Sequence, residues 1–425
     1  MNELYYDIAV IGAGPAGLAA AAAAKKEGAD KIVIIERDFR PGGILEQCIH
    51  TGFGLKYFGE ELSGPEYAQR FIDVCQEKGI EILLDTMVLN IDGREHLIHA
   101  ANREGAVRIK AGAIILSMGC RERTRAQILI PGSRPAGIYT AGSAQRFCNV
   151  QNHIVGKEIV IVGSGDIGMI MARRMTLEGA KVKAIVEVMP YLAGLTRNRV
   201  QCLDDFGIPL YLGHTIVDID GKLRVEKVTV AKVDEKKQPI PGTEFEIPCD
   251  TVLLSVGLIP ENEVSKSAGV TLDPVTKGPI VDQIMMTEVP GIFACGNVVH
   301  VNDLVDNVSR ESEVAGVSAA RYVKSGAGKG ISIPVKPAGL VRYMVPQSVE
   351  AGTVEDAVSM YFRVLAPTEN VIIRATCGDT VLMQKKKKFV TPGEIESIRI
   401  PADKLNALQG GEIIVQVDKV QEQGA

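Results

Sequence analysis

Hydrophobic positions along the chain change their period in a regular way. Near the N-terminus, Tyr6–Gly12 (YDIAVIG) is a short, continuous apolar run that ends in glycine, and Lys31–Ile35 (KIVII) is a second one. Such runs, apolar without alternation, predict strands buried on both faces, as in a parallel sheet. Between them Ala16–Ala24 is alanine-rich and predicts a helix that continues to about Glu27. The succession returns downstream as Glu158–Val162 (EIVIV), a helix to about Glu178, and Lys181–Val186 (KVKAIV). Strand, helix and strand in repeated order predict an α/β fold. After the glycine-rich stretch Ser325–Gly330 the pattern changes. Ser359–Val364, Asn370–Arg374, Thr380–Met383, Glu396–Ile400 and Glu412–Val417 are strand-like and punctuated by Pro and Gly, so residues 331–425 predict a small all-β domain.

The joint between strand and helix carries the chemistry. It reads GAGPAG from Gly12 to Gly17 and GSGDIG from Gly163 to Gly168, and the copies lie 151 residues apart. Gly17 and Glu36 are 19 residues apart, as are Gly168 and Glu187. In this arrangement the first glycine makes the tight turn, the second lets the backbone approach a pyrophosphate, and the third lets helix and strand pack closely. The helix N-terminus then offers unpaired N–H groups to the phosphates. An acidic residue ending the second strand accepts hydrogen bonds from ribose hydroxyls. Candidate dinucleotide contacts are therefore Gly12, Gly14, Pro15, Ala16, Gly17 and Glu36 in the first copy, and Gly163, Gly165, Asp166, Ile167, Gly168 and Glu187 in the second. Glu187 would repel a 2′-phosphate and no arginine follows it directly, which favours NAD(H) over NADP(H). Arg197 and Arg199 lie ten and twelve residues on, within reach of a loop.

After Glu36 comes Arg37, then the pair Gly42-Gly43 and Leu45. Here the chain resembles the two-dinucleotide-domain flavoproteins typified by glutathione reductase and thioredoxin reductase. Ala113–Gly119 (AIILSMG), Val252–Asn262 (VLLSVGLIPEN) and Thr287–Asn297 (TEVPGIFACGN) are similar to further landmarks of that superfamily. The resemblance implies two Rossmann-like dinucleotide-binding domains. An NAD domain at 118–264 would be inserted in a discontinuous FAD domain at 1–117 and 265–328. It also implies FAD contacts at Arg37, Gly42, Gly43, Gln47, Val88, Gly119, Gly296, Asn297, Val305 and Asp306, and a place for Gly257 at the second site. Asn297 stands where the superfamily usually has Asp. A helix beginning near Asp303–Asn307 would point its N-terminus at the flavin pyrimidine and stabilise negative charge there. The alternative for Asp303 and Asp306 is plain helix capping.

Composition narrows the class. A chain of 425 residues with 46% hydrophobic residues predicts several folded domains rather than disorder. Net charge −5 argues against a nucleic-acid or anionic-membrane binder. Neither a signal peptide nor an apolar run long enough to span a bilayer is visible, so a cytoplasmic location is expected. The eight cysteines form no CxxC or CxxxxC pair and read as reduced thiols, without the spacing of a metal or iron–sulfur site. In the superfamily's disulfide reductases a redox cysteine pair follows the second glycine pair; those positions are Leu45 and His50 here. Thioredoxin reductase keeps its pair in the NAD domain, where Cys120 and Cys148 are 28 residues apart. Dithiol exchange therefore lacks its residues. Two candidates for catalysis remain. Cys48 is a single redox thiol or a small residue packed against the flavin. His50 is a proton donor or a histidine that never titrates.

A narrower resemblance lies in GGILxQCIHxGFG from Gly42 to Gly54, Met118–Arg123 (MGCRER) and Ile138–Gln145 (IYTAGSAQ). These segments look like the flavoprotein subunits of hydrogen cyanide synthase, opine oxidase and dye-linked proline dehydrogenase. Most of all they look like the oxidoreductase that accompanies anaerobic glycerol-3-phosphate dehydrogenase. The resemblance implies hydride exchange between NADH and FAD, a partner dehydrogenase subunit or small electron carrier, and an oligomer. Alternatives are a stand-alone NADH oxidase or peroxidase using Cys48, and an FAD relay in an amine or amino-acid dehydrogenase. Glu122 and Arg123 either help form the nicotinamide pocket or make a surface ion pair. Lys385–Lys388 reads as a solvated turn or a protected edge, with docking to an acidic partner surface as the sharper alternative.

Overall fold

The computed structural model describes residues 3–326 and 328–420, so the outermost residues of the expected ranges (1–2 and 421–425) and position 327 lie outside the described residues. The chain forms two compact units, 1–120 together with 260–425, and 121–259.

The first unit is built on a seven-stranded sheet. Its parallel part runs in the order Glu81–Leu83, Ile32–Ile35, Glu3–Ile11, Gly105–Leu116 and Ile292–Ala294. The apolar runs of the sequence sit at its centre: Ile32–Ile35 and Ile292–Ala294 are buried at every position. Gly105–Leu116 has a double use. Its first half pairs antiparallel with Leu97–Asn102, itself paired with Met87–Asp92, and its second half enters the parallel sheet beside Glu3–Ile11. The alanine-rich helix Pro15–Lys26 lies against the long helix Val305–Ser325. A Cβ on Gly316 would stand 2.1 Å from the Ala20 carbonyl oxygen, so small residues set how closely the helices approach. Among the described residues no helix is long and apolar enough to cross a membrane.

The second unit repeats the plan. Its parallel sheet runs Leu210–Leu212, Lys181–Glu187, Glu158–Val162, Thr251–Leu254 and Ile138–Thr140, the same order of equivalent strands as in the first unit. A three-stranded antiparallel sheet, His214–Asp220, Lys227–Lys232 and Phe245–Pro248, matches the antiparallel hairpin of the first.

The C-terminal region is rich in strands, and every strand-like run of the sequence lies mainly or wholly in one. A five-stranded sheet (Ser348–Ala351, Ile331–Gly339, Ile413–Lys419, Thr368–Cys377, Thr380–Val390) and a three-stranded sheet (Val341–Val345, Val358–Val364, Glu396–Ile400) bury a common core. Burial alternates along Val358–Val364 and Glu396–Ile400, the period-2 signature of strands buried on one face. One helical turn, Ala402–Asn406, interrupts the β structure. Tyr343 and Val345 of this region are buried in the core of the first unit, so the β layer is fused to it. Lys385–Lys388 is not a turn. It lies within Thr380–Val390, the edge strand of the larger sheet, where Lys387 is ion-paired to the buried Glu396 and Lys386 and Lys388 face solvent. Charged residues on an edge discourage pairing with another chain.

Asp282 in the first unit accepts the Ile284 and Met286 N–H groups at 3.0 Å each through Oδ1. Desolvation pushes its carboxyl up to about 6, above its ordinary 3.8. The folded chain thus keeps a proton that the unfolded chain has released, and stability falls as pH rises from about 4 through about 6. Asp282→Asn keeps the accepting oxygen and removes the charge. Thermal midpoints recorded across pH 4 to 7 should fall less with rising pH in this variant than in the parent.

Candidate functional site

In the first unit the turn after Glu3–Ile11 is closed by backbone contacts that only glycine permits. Gly12 has φ +102°, and a Cβ there would stand 2.8 Å from the Ser117 carbonyl oxygen. A Cβ on Gly17 would stand 1.9 Å from the Gly12 carbonyl oxygen. Gly12 N–H donates to Ile35 O at 2.8 Å, tying the turn to the neighbouring strand. Glu36 is buried, and its two carboxylate oxygens accept the N–H groups of Ala13 (2.7 Å) and Asp38 (2.8 Å). The second glycine pair folds back on the same turn: Gly42 N–H donates to Ala13 O at 2.8 Å, and a Cβ on Gly43 would be 2.8 Å from Gly14 Cα.

The second unit reproduces these contacts one by one. Gly163 has φ +96° and packs on the Ser255 carbonyl oxygen, and Gly168 packs under Gly163 O. Gly163 N–H donates to Val186 O at 2.8 Å. Glu187 is buried and accepts from Ser164 N (2.7 Å) and Met189 N (2.8 Å). Gly194 N–H donates to Ser164 O at 3.0 Å, in the place of Gly42. Ser117 and Ser255 close the two turns and were not singled out as site residues. Their signal was present, since LSMG at Leu116–Gly119 and LSVG at Leu254–Gly257 end in the glycines that were. The units differ at three positions of the loop, Ala13 against Ser164, Pro15 against Asp166 and Ala16 against Ile167, and the middle one changes the contacts around it. Where the first has Pro15, the second has Asp166, whose Oδ1 accepts Leu195 N (2.8 Å) and Asn198 Nδ2 (2.7 Å). Asp166 thereby holds the start of helix Thr196–Cys202, which carries an exposed Arg197 and an Arg199 that faces Asp204 at 3.7 Å.

Both loops fit a pyrophosphate. A Cβ on Gly14 would meet no atom within 4 Å, and one on Gly165 only Ser255 Oγ at 3.9 Å. These glycines therefore border open space, directly before the helices Pro15–Lys26 and Asp166–Leu177, whose N-termini no side chain caps. Uncapped N–H groups facing open space are what an anion requires.

The segment Thr287–Asn297 reaches the first loop. A Cβ on Gly296 would be 2.8 Å from Ala16 Cβ. Asn297 Oδ1 accepts Asn302 N–H at 2.9 Å and its Nδ2 points at Cys120 Sγ, 3.7 Å away. Asn302 Oδ1 is buried without a partner among the described residues. Such an orphaned acceptor beside Asn297 suits a ligand that donates a hydrogen bond. The helix expected near Asp303–Asn307 begins at Val305, but neither Asp303 nor Asp306 caps it. Asp306 is buried and accepts the N–H groups of Gly54, Lys56 and Tyr57, at 3.4, 3.2 and 2.7 Å, so it fixes that loop. Val88 is a core side chain of the antiparallel hairpin, Gln47 is buried and Arg37 is exposed. Gly119 (φ +72°) and Gly257 (φ +99°) both turn in the left-handed region, and Gly257 O accepts Arg123 N–H at 3.0 Å. Glu122 Oε1 accepts Gly142 N–H at 2.8 Å in the first turn of helix Ala141–Asn149, so its carboxylate meets a helix N-terminus.

All eight cysteines are free thiols. Cys48 packs against Gly64, where a Cβ would be 2.8 Å from Cys48 Cβ, and desolvation pushes its thiol up to about 12. At neutral pH that group is a thiol and not the thiolate that redox chemistry requires. The His50 ring lies 5.0 Å from that of Phe53.

Fold and loops together define an α/β oxidoreductase with two dinucleotide-binding domains. The chain belongs to the pyridine nucleotide-disulphide oxidoreductase family, which it matches over residues 6–320. It is similar to the thioredoxin reductase of Listeria innocua serovar 6a, 30% identical over 331 residues that span 76% of this chain and 95% of that protein. It is also similar to one of the opine oxidase subunits of Agrobacterium tumefaciens, 23% identical over 312 residues, 69% of this chain and 61% of that one. The crystal structure of T. acidophilum thioredoxin reductase shares the fold, with a TM-score of 0.62 at 24% identity over 76% of this chain and 99% of that one. The protein is accordingly an FAD-dependent, NAD(P)-linked oxidoreductase. Gly14→Ala should fold with a thermal midpoint near that of the parent apoprotein, because its Cβ meets nothing, yet retain little FAD, measured as 450 nm absorbance per protein after gel filtration.

Proposed function

We propose that this chain is an NADH:acceptor oxidoreductase that serves as the flavin subunit of a larger dehydrogenase, of the type associated with glycerol-3-phosphate oxidation. The observation that carries the reading is the pair of matching dinucleotide loops in a chain without a redox cysteine pair. FAD held by the first loop would supply hydride chemistry toward a nicotinamide held by the second, two electrons and one proton moving together. The residues of this chain bind and orient. Gly12, Gly14 and Gly17 with Pro15 and Ala16 receive one pyrophosphate, and Gly163, Gly165 and Gly168 with Ile167 the other. Glu36 and Glu187 face the riboses. Gln47, Gly119, Gly296, Asn297 and Val305 line the flavin side. The thioredoxin reductase name of the relatives does not carry over, since the chain has neither the CxxC nor the CxxxxC pair of the superfamily's dithiol enzymes.

The second nucleotide is NADH. Glu187 is 4% exposed and holds two N–H groups of its own loop, so its carboxylate is held at the end of the second strand, and its charge would repel a 2′-phosphate on a ribose bound there. The role within a larger complex is supported by similarity to the opine oxidase protein, which is itself named as a subunit. That similarity also favours a second reading, an FAD relay in an amine or amino-acid dehydrogenase. Use of Cys48 as an oxidase or peroxidase thiol is disfavoured by its desolvation.

NADH should bleach the flavin of purified protein anaerobically, and Cys48→Ser should bleach equally. No bleaching overturns the proposal, and bleaching with a co-purified amine dehydrogenase selects the second reading. Glu187→Gln keeps one accepting oxygen and loses the charge. It should raise the ratio of kcat/KM for NADPH to that for NADH by about tenfold, a Coulombic change of ~1.4 kcal/mol.

A further inference from the structure

Residues 300–303 join the Gly296-Asn297 turn to the helix Val305–Ser325, and the C-terminal β layer grips them from outside. Arg363, on the strand Val358–Val364, donates to Val301 O at 3.0 Å through Nη2 and forms an ion pair with Asp303. Its Nη1 donates to Pro392 O at 2.9 Å. The side chains of this pair are only 17% and 10% exposed. Ile395 N–H donates to the other carboxylate oxygen of Asp303 at 2.7 Å. Beside them His300, 1% exposed, stands between two partners. Its Nδ1 lies 3.4 Å from the hydroxyl of Tyr343, on the strand Val341–Val345, and its Nε2 lies 2.8 Å from Glu311 Oε2. Glu311 Oε1 in turn accepts the N–H of Gly296 at 2.7 Å.

We propose that Arg363 is a positioning residue for the flavin. Through the chain Arg363–Asp303 and Tyr343–His300–Glu311–Gly296, the C-terminal layer sets the loop on which Asn297 and Asn302 stand. The inference rests on the FAD reading of the first loop and assigns a role to a region that begins after the family match ends at residue 320. The geometry explains why an arginine is used. One planar guanidinium serves a carboxylate and two carbonyls from two separate nitrogens held in a fixed fork, a spread of donors that the single nitrogen of an ammonium does not offer. Removing it takes the guanidinium counter-charge from a nearly buried carboxylate and two donors from the carbonyls of Val301 and Pro392, and the strain falls on the 300–303 segment.

The test uses full-length protein stripped of FAD and reconstituted. Arg363→Met should weaken FAD binding about tenfold or more, read by flavin fluorescence titration, and should shift the flavin midpoint potential measured by dye equilibration. Arg363→Lys should recover part of both, since it restores the charge beside Asp303. Arg399→Met, which removes an exposed pair with Asp356 in the same layer, should change neither. Wild-type FAD affinity and potential in folded Arg363→Met overturn the proposal. If that variant does not fold, Tyr343→Phe decides. It removes one hydroxyl beside His300 without stranding a charge, and an unchanged potential and affinity would then overturn the proposal. Failure of the wild-type apoprotein to bind FAD at all would instead overturn the reading of the site.

Discussion

The close approach of three backbone segments at each strand-to-helix turn is the constraint on which the rest of the protein depends. A carbonyl oxygen of Ser117 or Ser255 lies where the Cβ of a non-glycine residue would be, and so does the carbonyl oxygen of Gly12 or Gly163. These contacts bring the strand, the helix and the adjoining strand close together, with the uncapped helix N-terminus directly after a glycine that borders open space. An anion site follows, because the first N–H groups of the helix have no intrahelical acceptor. The buried glutamates then fix the rim by accepting two backbone N–H groups each. A side chain at any of these closing glycines would force the segments apart, and overpacking of this kind costs on the order of 1–3 kcal/mol or more.

The same turn serves two units that have diverged around it. In the first unit the loop is supported from outside by Gly42-Gly43, by the Gly296 turn, and through His300 and Asp303 by the β layer. In the second, Asp166 replaces a proline and recruits Leu195 and Asn198. Binding machinery stays constant while the outer contacts change, which is how one fold comes to hold two different dinucleotides. The cysteines fit this picture. Desolvation raises Cys48, Cys75, Cys249 and Cys295 to about 12, so these thiols behave as small packing groups.

Much of this was legible in the sequence. Continuous apolar runs against glycine-punctuated helices marked the parallel strands, because both faces of such strands are covered. The equal spacing of glycines and acids marked both loops, because Gly12, Gly17, Gly163 and Gly168 leave no room for a Cβ. Strand-like runs punctuated by Pro and Gly marked the C-terminal strands. Of the two readings of Lys385–Lys388, the edge agrees with the structure and the turn does not, since a run of four lysines hides the alternation that puts Lys385 and Lys387 on one face and Lys386 and Lys388 on the other.

By itself, then, the sequence determined the local chemistry: two glycine turns, two acids at fixed distance, and the absence of a cysteine pair. These are short-range features whose spacing is set by one strand, one helix and the turn between them. Tertiary structure alone decided what Asp303, Asp306, His300, Glu311 and Arg363 do. Helix position suggested caps for the two aspartates, yet their partners come from residues as far away as Gly54 and Ile395. A buried charge takes whichever donor the packed fold brings to it, and no local pattern records that choice.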